Sequence, residues 1–161
     1  MVRCDLPEVV GLRRRFFSDA PGYRMLGTSI TDPGWWSTLP RDRPGLLVAD
    51  GVLAYLTEAE VTAFLRRVVS TFPHGQAMFD VMDSRVQARA NEELERRMHA
   101  SIQWAVDDPT AIDRIDPRLR RVETTSLFRS RYFPWRYRLA FALAVFSPRL
   151  RHAIRLVRCE F

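Results

Sequence analysis

Three short stretches hold residue types that bind small molecules, and each follows an apolar run. Asp5 closes the first run, Ser29, Ile30, Thr31 and Asp32 follow the second, and Asp50 with Gly51 follows the third, Gly45–Ala49. Open α/β sheets bind ligands beyond the carboxyl ends of their strands, so these residues are the candidate ligand contacts. Each also has a plainer reading. Asp5 could cap the helix that starts at Pro7, and Asp50–Gly51 could be only a strand-to-turn signal. Nucleophiles and metal ligands are scarce. The three histidines, His74, His99 and His152, sit in no motif, and Cys4 and Cys159 form neither a Cys-x-x-Cys pair nor a disulfide framework. No metal site and no catalytic base is assigned. Trp35 and Trp36 are read as packing bulk.

The elements that must position these residues follow from hydrophobic spacing. Asp5-Leu6-Pro7-Glu8 has the form of a helix start, with Pro in the first turn and an acid facing the helix dipole. Val9, Leu12 and Phe16 then fall on one helical face, until Asp19-Ala20-Pro21-Gly22 breaks the helix. Tyr23 to Ile30 reads as a strand and Trp35 to Leu39 as a short helical segment. Gly45–Ala49 is continuously apolar, which predicts a strand buried on both faces of a parallel sheet. Thr57 and Glu60 form a capping box, and Val61, Phe64, Leu65, Val68, Val69 and Phe72 follow at core-facing helical spacing. Gln76–Val81 reads as another buried strand, Ser84–His99 as a charged helix and Arg121–Phe128 as a strand. Pro134–Phe146 reads as an apolar helix and Ile154–Phe161 as the last strand. Strands alternating with helices predict an α/β layered domain around a mostly parallel sheet.

Size and charge set the limits. At 161 residues the chain is long enough for one domain with a core. No apolar run approaches the roughly 20 residues that span a bilayer. The N-terminus lacks the long apolar core of a signal peptide, so a cytoplasmic location with no membrane partner is expected. The net charge of +6 comes entirely from Arg, since there is no lysine. Residues 118–161 hold 11 Arg against Glu123 and Glu160. A solvated Arg-rich face is preferred over a nucleic-acid partner. Arg131, Arg136 and Arg138 could still pair with an acidic substrate.

The candidate residues also lie in segments with a family resemblance. Asp5-Leu6-Pro7-Glu8-Val9-Val10-Gly11-Leu12-Arg13-Arg14-Arg15 and Leu46-Leu47-Val48-Ala49-Asp50-Gly51-Val52-Leu53-Ala54-Tyr55-Leu56-Thr57 resemble, in order, two segments of the leucine carboxyl methyltransferase superfamily. Ser29-Ile30-Thr31-Asp32, followed by Trp35, resembles the stretch between them. The similarity is to the branch of tetracenomycin-type polyketide O-methyltransferases. The resemblance implies a Rossmann-like class I methyltransferase sheet with flanking helices and S-adenosylmethionine as cofactor. It implies methyl transfer to a carboxylate or hydroxyl oxygen of a small polyketide-like molecule. By the same resemblance Asp5 would accept the ribose hydroxyls, Ser29 and Ile30 would flank adenine, Asp50 and Gly51 would meet the methionyl end, and Tyr55 would lie on the substrate side. The family usually has Glu where Asp50 stands.

The departure from the family lies at the N-terminus. An adenosyl-binding sheet opens with a strand and a glycine-rich loop, and its acid follows about 20 residues later. Here that acid is residue 5, and no Gly-x-Gly occurs among the 7 glycines. The expectation is a partial domain over residues 1–161, lacking the first strand and the loop, with a gap in the middle of its sheet. Two functions stay open. One is an O-methyltransferase, from a longer chain or completed by another polypeptide. The other is a noncatalytic remnant of the fold that binds or dimerises.

Overall fold

The computed structural model describes residues 1–98, 100–127 and 152–161. The predicted helix Pro134–Phe146, Arg131, Arg136, Arg138 and His99 lie outside the described residues. The chain forms two compact units, Met1–Arg41 and Asp42–Phe161.

In the first unit β1 (Val2–Asp5) runs parallel to β2 (Arg24–Gly27), with Asp5 opposite Gly27. Helix α1 (Pro7–Arg13) makes the crossover between them. Leu6 is its N-cap, without a side-chain cap, and Pro7 opens the first turn, where a missing N–H costs nothing. Asp5 therefore does not cap the helix; it is the last residue of β1. The expected apolar face is also corrected. Val9, Leu12 and Phe16 are exposed, and the residue that α1 buries is Val10. The crossover decides this, because it turns Val10 onto β2: a Cβ on Gly27 would meet the Val10 Cβ at 3.6 Å. Phe16 lies beyond the end of a helix that stops at Arg13. The strand expected over 23–30 is shorter because the chain turns at Thr28. There Asp32 accepts the Thr28 hydroxyl at 2.9 Å and the Gly34 N–H at 2.7 Å. A 3-10 turn, Gly34–Thr38, follows and stacks Trp35 on the buried Trp36 at 4.3 Å, as expected for packing bulk.

The second unit contains β3 (Gly45–Ala49), α2 (Glu58–Thr71), β4 (Gly75–Met82), α3 (Ser84–Met98), β5 (Arg120–Ser126) and β6 (Ile154–Glu160). The sheet order is β3-β4-β6-β5. Strands β3 and β4 are parallel, but β6 runs antiparallel to both β4 and β5. The sheet is mixed, not mostly parallel. Alternating burial looks the same in either strand direction, so spacing alone could not reveal this. The expectation of a β3 buried on both faces is corrected too. Leu46 is 70% exposed and Val48 63%, whereas Ala49 is buried. Among the described residues β3 is the edge of its sheet, and one of its faces is uncovered.

The capping box forms as read. Thr57 Oγ1 accepts the Glu60 N–H, and Glu60 Oε2 accepts the Thr57 N–H at 2.8 Å. Helix α2 then buries Val61, Phe64, Leu65, Val68 and Val69. Each such side chain contributes about 2 kcal/mol when taken from water. The strands of the parallel pair start so close together that a Cβ on Gly75 would lie 2.2 Å from the Gly45 carbonyl oxygen. Only glycine fits there. Ala77, Phe79 and Val81 on β4 face Cys159, Val157 and Arg155 on β6, and all six are buried.

Removing the cap tests this account of α2. Thr57→Ala is expected to lower stability by about 1 kcal/mol, with an unchanged denaturant slope, in urea unfolding followed by circular dichroism.

Candidate functional site

The predicted residues fall into two groups, one in each unit. In the first unit, Asp5 ends β1 with its side chain about one-third exposed. Its Oδ1 accepts the Leu6 N–H at 3.1 Å, and its Oδ2 lies 3.7 Å from Arg3. Ser29 is exposed in the loop after β2, where its hydroxyl lies 2.8 Å from that of Thr31. Ile30 beside it is half-buried. Cys4, next to Asp5, donates its thiol to the Thr28 carbonyl at 3.4 Å. Burial, then the negative charges of Asp5 and Asp32, push this thiol up to about 11. The Gly34 N–H and the Thr28 hydroxyl hold the Asp32 carboxyl below its ordinary range.

In the second unit, Asp50, Gly51 and Tyr55 lie on one continuous segment at the carboxyl end of β3. Asp50 is exposed, and among the described residues no hydrogen bond or ion pair engages its carboxylate. Gly51 has φ +65°, the left-handed region, where a Cβ costs roughly 1–2 kcal/mol. No atom lies within 4 Å of where that Cβ would stand, so the backbone faces open space. A 3-10 turn, Leu53–Tyr55, follows and leaves Tyr55 45% exposed.

Spacing missed the groups that hold this segment. The Gly51 N–H donates to Asp80 Oδ1, on β4, at 2.6 Å. The Ala54 carbonyl accepts the N–H groups of Gln103 and Trp104, and the Gln103 side-chain amide donates to the Tyr55 carbonyl at 3.0 Å. Asn91 on α3 holds the same stretch from the other side, exchanging two bonds with the Ile102 backbone. Below it Trp104 packs against Phe79, ring centres 6.2 Å apart. Asp80 lies inside β4, so the strand-end rule does not point to it. Nothing local in the sequence marks Gln103.

Other features gather none of the predicted residues. A shallow depression of about 360 Å³ is lined by Asp113, Pro117, Leu119, Arg120, Arg121 and Val122. Of its two arginines Arg121 pairs with Asp113, and nearby Arg118 pairs with Asp116 and Arg158 with Glu123 and Glu160. Among the described residues no His, Cys, Asp and Glu cluster could hold a metal ion, and no helix is long and apolar enough to cross a membrane.

No family-level sequence profile matches the chain. It is 36% identical over 98% of its length to the tetracenomycin polyketide synthesis O-methyltransferase TcmP of Streptomyces glaucescens, and covers 60% of that protein. The chain is thus similar to a tetracenomycin-type O-methyltransferase along nearly its whole length. Another relative is the S-adenosyl-L-methionine-dependent methyltransferase dpfgK of Gibberella zeae, 31% identical over 74% of this chain and 44% of that one. The chain thus spans about half to three-fifths of the curated relatives it matches. Among solved structures, a DUF574 family protein from Streptomyces avermitilis superposes at TM-score 0.69 with 14% identity, over 99% of this chain and 64% of that one. An S-adenosylmethionine-dependent methyltransferase from Mesorhizobium loti gives TM-score 0.69 with 15% identity, over 99% and 79%. At such identities the likeness is one of fold, and the fold is the α/β methyltransferase fold with a mixed sheet.

Both thiols of the chain are shielded, Cys4 in part. Cys159 is fully buried, and burial pushes it up to about 11 as well. Native protein is therefore expected to react slowly with a thiol reagent at about pH 8, and both cysteines to react fast once it is unfolded. Folded thiols that ionise later than unfolded ones stabilise only the protonated state. Their contribution is complete below the ordinary thiol value of 9.0 and is lost as pH rises towards 11. Denaturation midpoints measured across that window should fall with increasing pH.

Proposed function

We propose that the chain carries the cofactor-binding part of an S-adenosylmethionine-dependent O-methyltransferase that acts on a carboxylate or hydroxyl of a polyketide-like small molecule. One observation carries the reading: Asp50 stands unengaged and exposed at a strand's carboxyl end, beside a left-handed Gly51 that faces open space. That donor set suits the group. A lone carboxylate attracts a cationic methionyl end, and bare backbone admits close approach. When bound, the cofactor would supply a methyl carbon on a sulfonium, electrophilic towards an acceptor oxygen, with the neutral thioether as leaving group.

The chain's own residues divide the remaining work. In the first unit, taken by itself, the resemblance assigns the ribose hydroxyls to Asp5, whose one-third-exposed carboxylate keeps lone pairs free beyond the Leu6 N–H. Ser29 and Ile30 flank adenine, one polar and one apolar. Asp50 and Gly51 take the methionyl end, and Tyr55 borders the acceptor. Positioning of the two reactants supplies much of the rate. A carboxylate acceptor needs no general base. His74 sits at the amino end of the β3–β4 pair, where its carbonyl accepts the Gly45 N–H, on the far side from Asp50.

A second reading, a noncatalytic module that binds or dimerises, is favoured by β3. Its outer edge is unpaired among the described residues, and its exposed Leu46 and Val48 would suit a second copy or a completing chain.

Isothermal titration with S-adenosylmethionine, with sedimentation of the same sample, separates the two. The methyltransferase reading expects saturable heat that Asp50→Ala weakens at least about tenfold. No heat at millimolar ligand, with a dimer by sedimentation, would establish the module instead.

A further inference from the structure

We propose that Asp80 is a positioning residue for the cofactor contact: its carboxylate holds the Asp50–Gly51 turn in the form that presents Asp50. The proposal rests on the cofactor reading above and adds a residue that the family segments do not mark.

Four observations carry it. Ala49, the last residue of β3, pairs with Phe79 on β4, so Asp50 leaves β3 at the level of Asp80, which is still within β4. Asp80 itself cannot shift along its strand, because its backbone is also registered with Leu156 on β6. Its Oδ1 accepts the Gly51 N–H at 2.6 Å, joining positions 29 residues apart. Gly51 is the residue in most need of such a hold. A glycine enters left-handed and right-handed backbone with nearly equal ease, so its own chemistry does not select φ +65°. No neighbour crowds it into that form either, since the space over it is open.

A hydrogen bond from a backbone N–H to an ionised carboxylate is among the stronger ones available to a turn. Without it, Gly51 samples both hands, and the Asp50 carboxylate points in more than one direction. Affinity then falls by the fraction of time that the binding form is lost. Asp80 does this without touching the cofactor, so it is a positioning residue and not a catalytic one.

The test uses the 161-residue chain, its Asp80→Ala and Asp80→Asn variants, and S-adenosylhomocysteine as the probe. Asn keeps an acceptor oxygen and Ala does not. The first readout is the Gly51 amide resonance in proton–nitrogen correlation spectra without ligand. The second is affinity by titration calorimetry. Asp80→Ala is expected to move the Gly51 amide and to weaken binding about tenfold or more, while the core amides of Ala77 and Phe79 stay in place. Asp80→Asn is expected to restore both.

An unmoved Gly51 amide in Asp80→Ala would overturn the proposal, as would unchanged affinity in that variant. Loss of affinity that Asn fails to rescue, in a variant with intact core amides, would overturn it as well. Absence of binding by the parent chain would be the failure of the cofactor reading, recognisable because no variant is involved, and the proposal would fall with it.

Discussion

In the second unit β4 is hydrogen-bonded along both edges, parallel to β3 and antiparallel to β6, and its carboxyl half braces the turn after β3. Phe79 aligns with Ala49 on one side and Val157 on the other. From that fixed register Asp80 reaches Gly51, the Met82 carbonyl accepts the Val106 N–H, and the Asp83 N–H donates to the Ala153 carbonyl. Asp83 also starts α3, accepting the Val86 N–H at 2.9 Å. A slip of one residue would turn Ala77, Phe79 and Val81 out of the core and turn Asp80 away from Gly51. Burial of three apolar side chains therefore fixes the direction of one carboxylate.

The same strand end is braced by a buried charge. Arg155 on β6 is only 7% exposed, and its guanidinium donates to the Val106 and Asp107 carbonyls. Burial lowers its proton affinity, which the negative charges of Asp83, Asp107 and Asp108 oppose. A cation in that setting ties the 102–108 stretch to the sheet, since leaving its partners unpaired is costly. That stretch carries the Gln103 and Trp104 groups that bind Ala54 and Tyr55, so the turn after Gly51 is held from both flanks.

Legibility in the sequence divides along a physical line. The capping box and the core face of α2 were readable because helix periodicity and cap chemistry are local. The strand-end rule placed Asp50–Gly51 correctly at the end of β3, because an apolar run stopped by Asp-Gly is local too. Strand direction, edge position and exposure are not local. The antiparallel course of β6, the bare face of Leu46 and Val48, and the choice of Val10 over Val9 and Leu12 all depend on what each element packs against. Asp80 was hidden for a related reason: its role exists only once two strands align. The roles proposed for Asp5, Ser29, Ile30 and Tyr55 rest on the resemblance of the family segments; spacing alone does not give them.

The central proposal is that the turn after β3, with Asp50 and Gly51, receives an adenosyl cofactor. A titration of the chain with S-adenosylhomocysteine, followed by amide chemical shifts, addresses it directly. The account predicts saturable shifts at Asp50, Gly51 and Tyr55. Shifts confined to the depression lined by Asp113, Pro117 and Arg121 would contradict it.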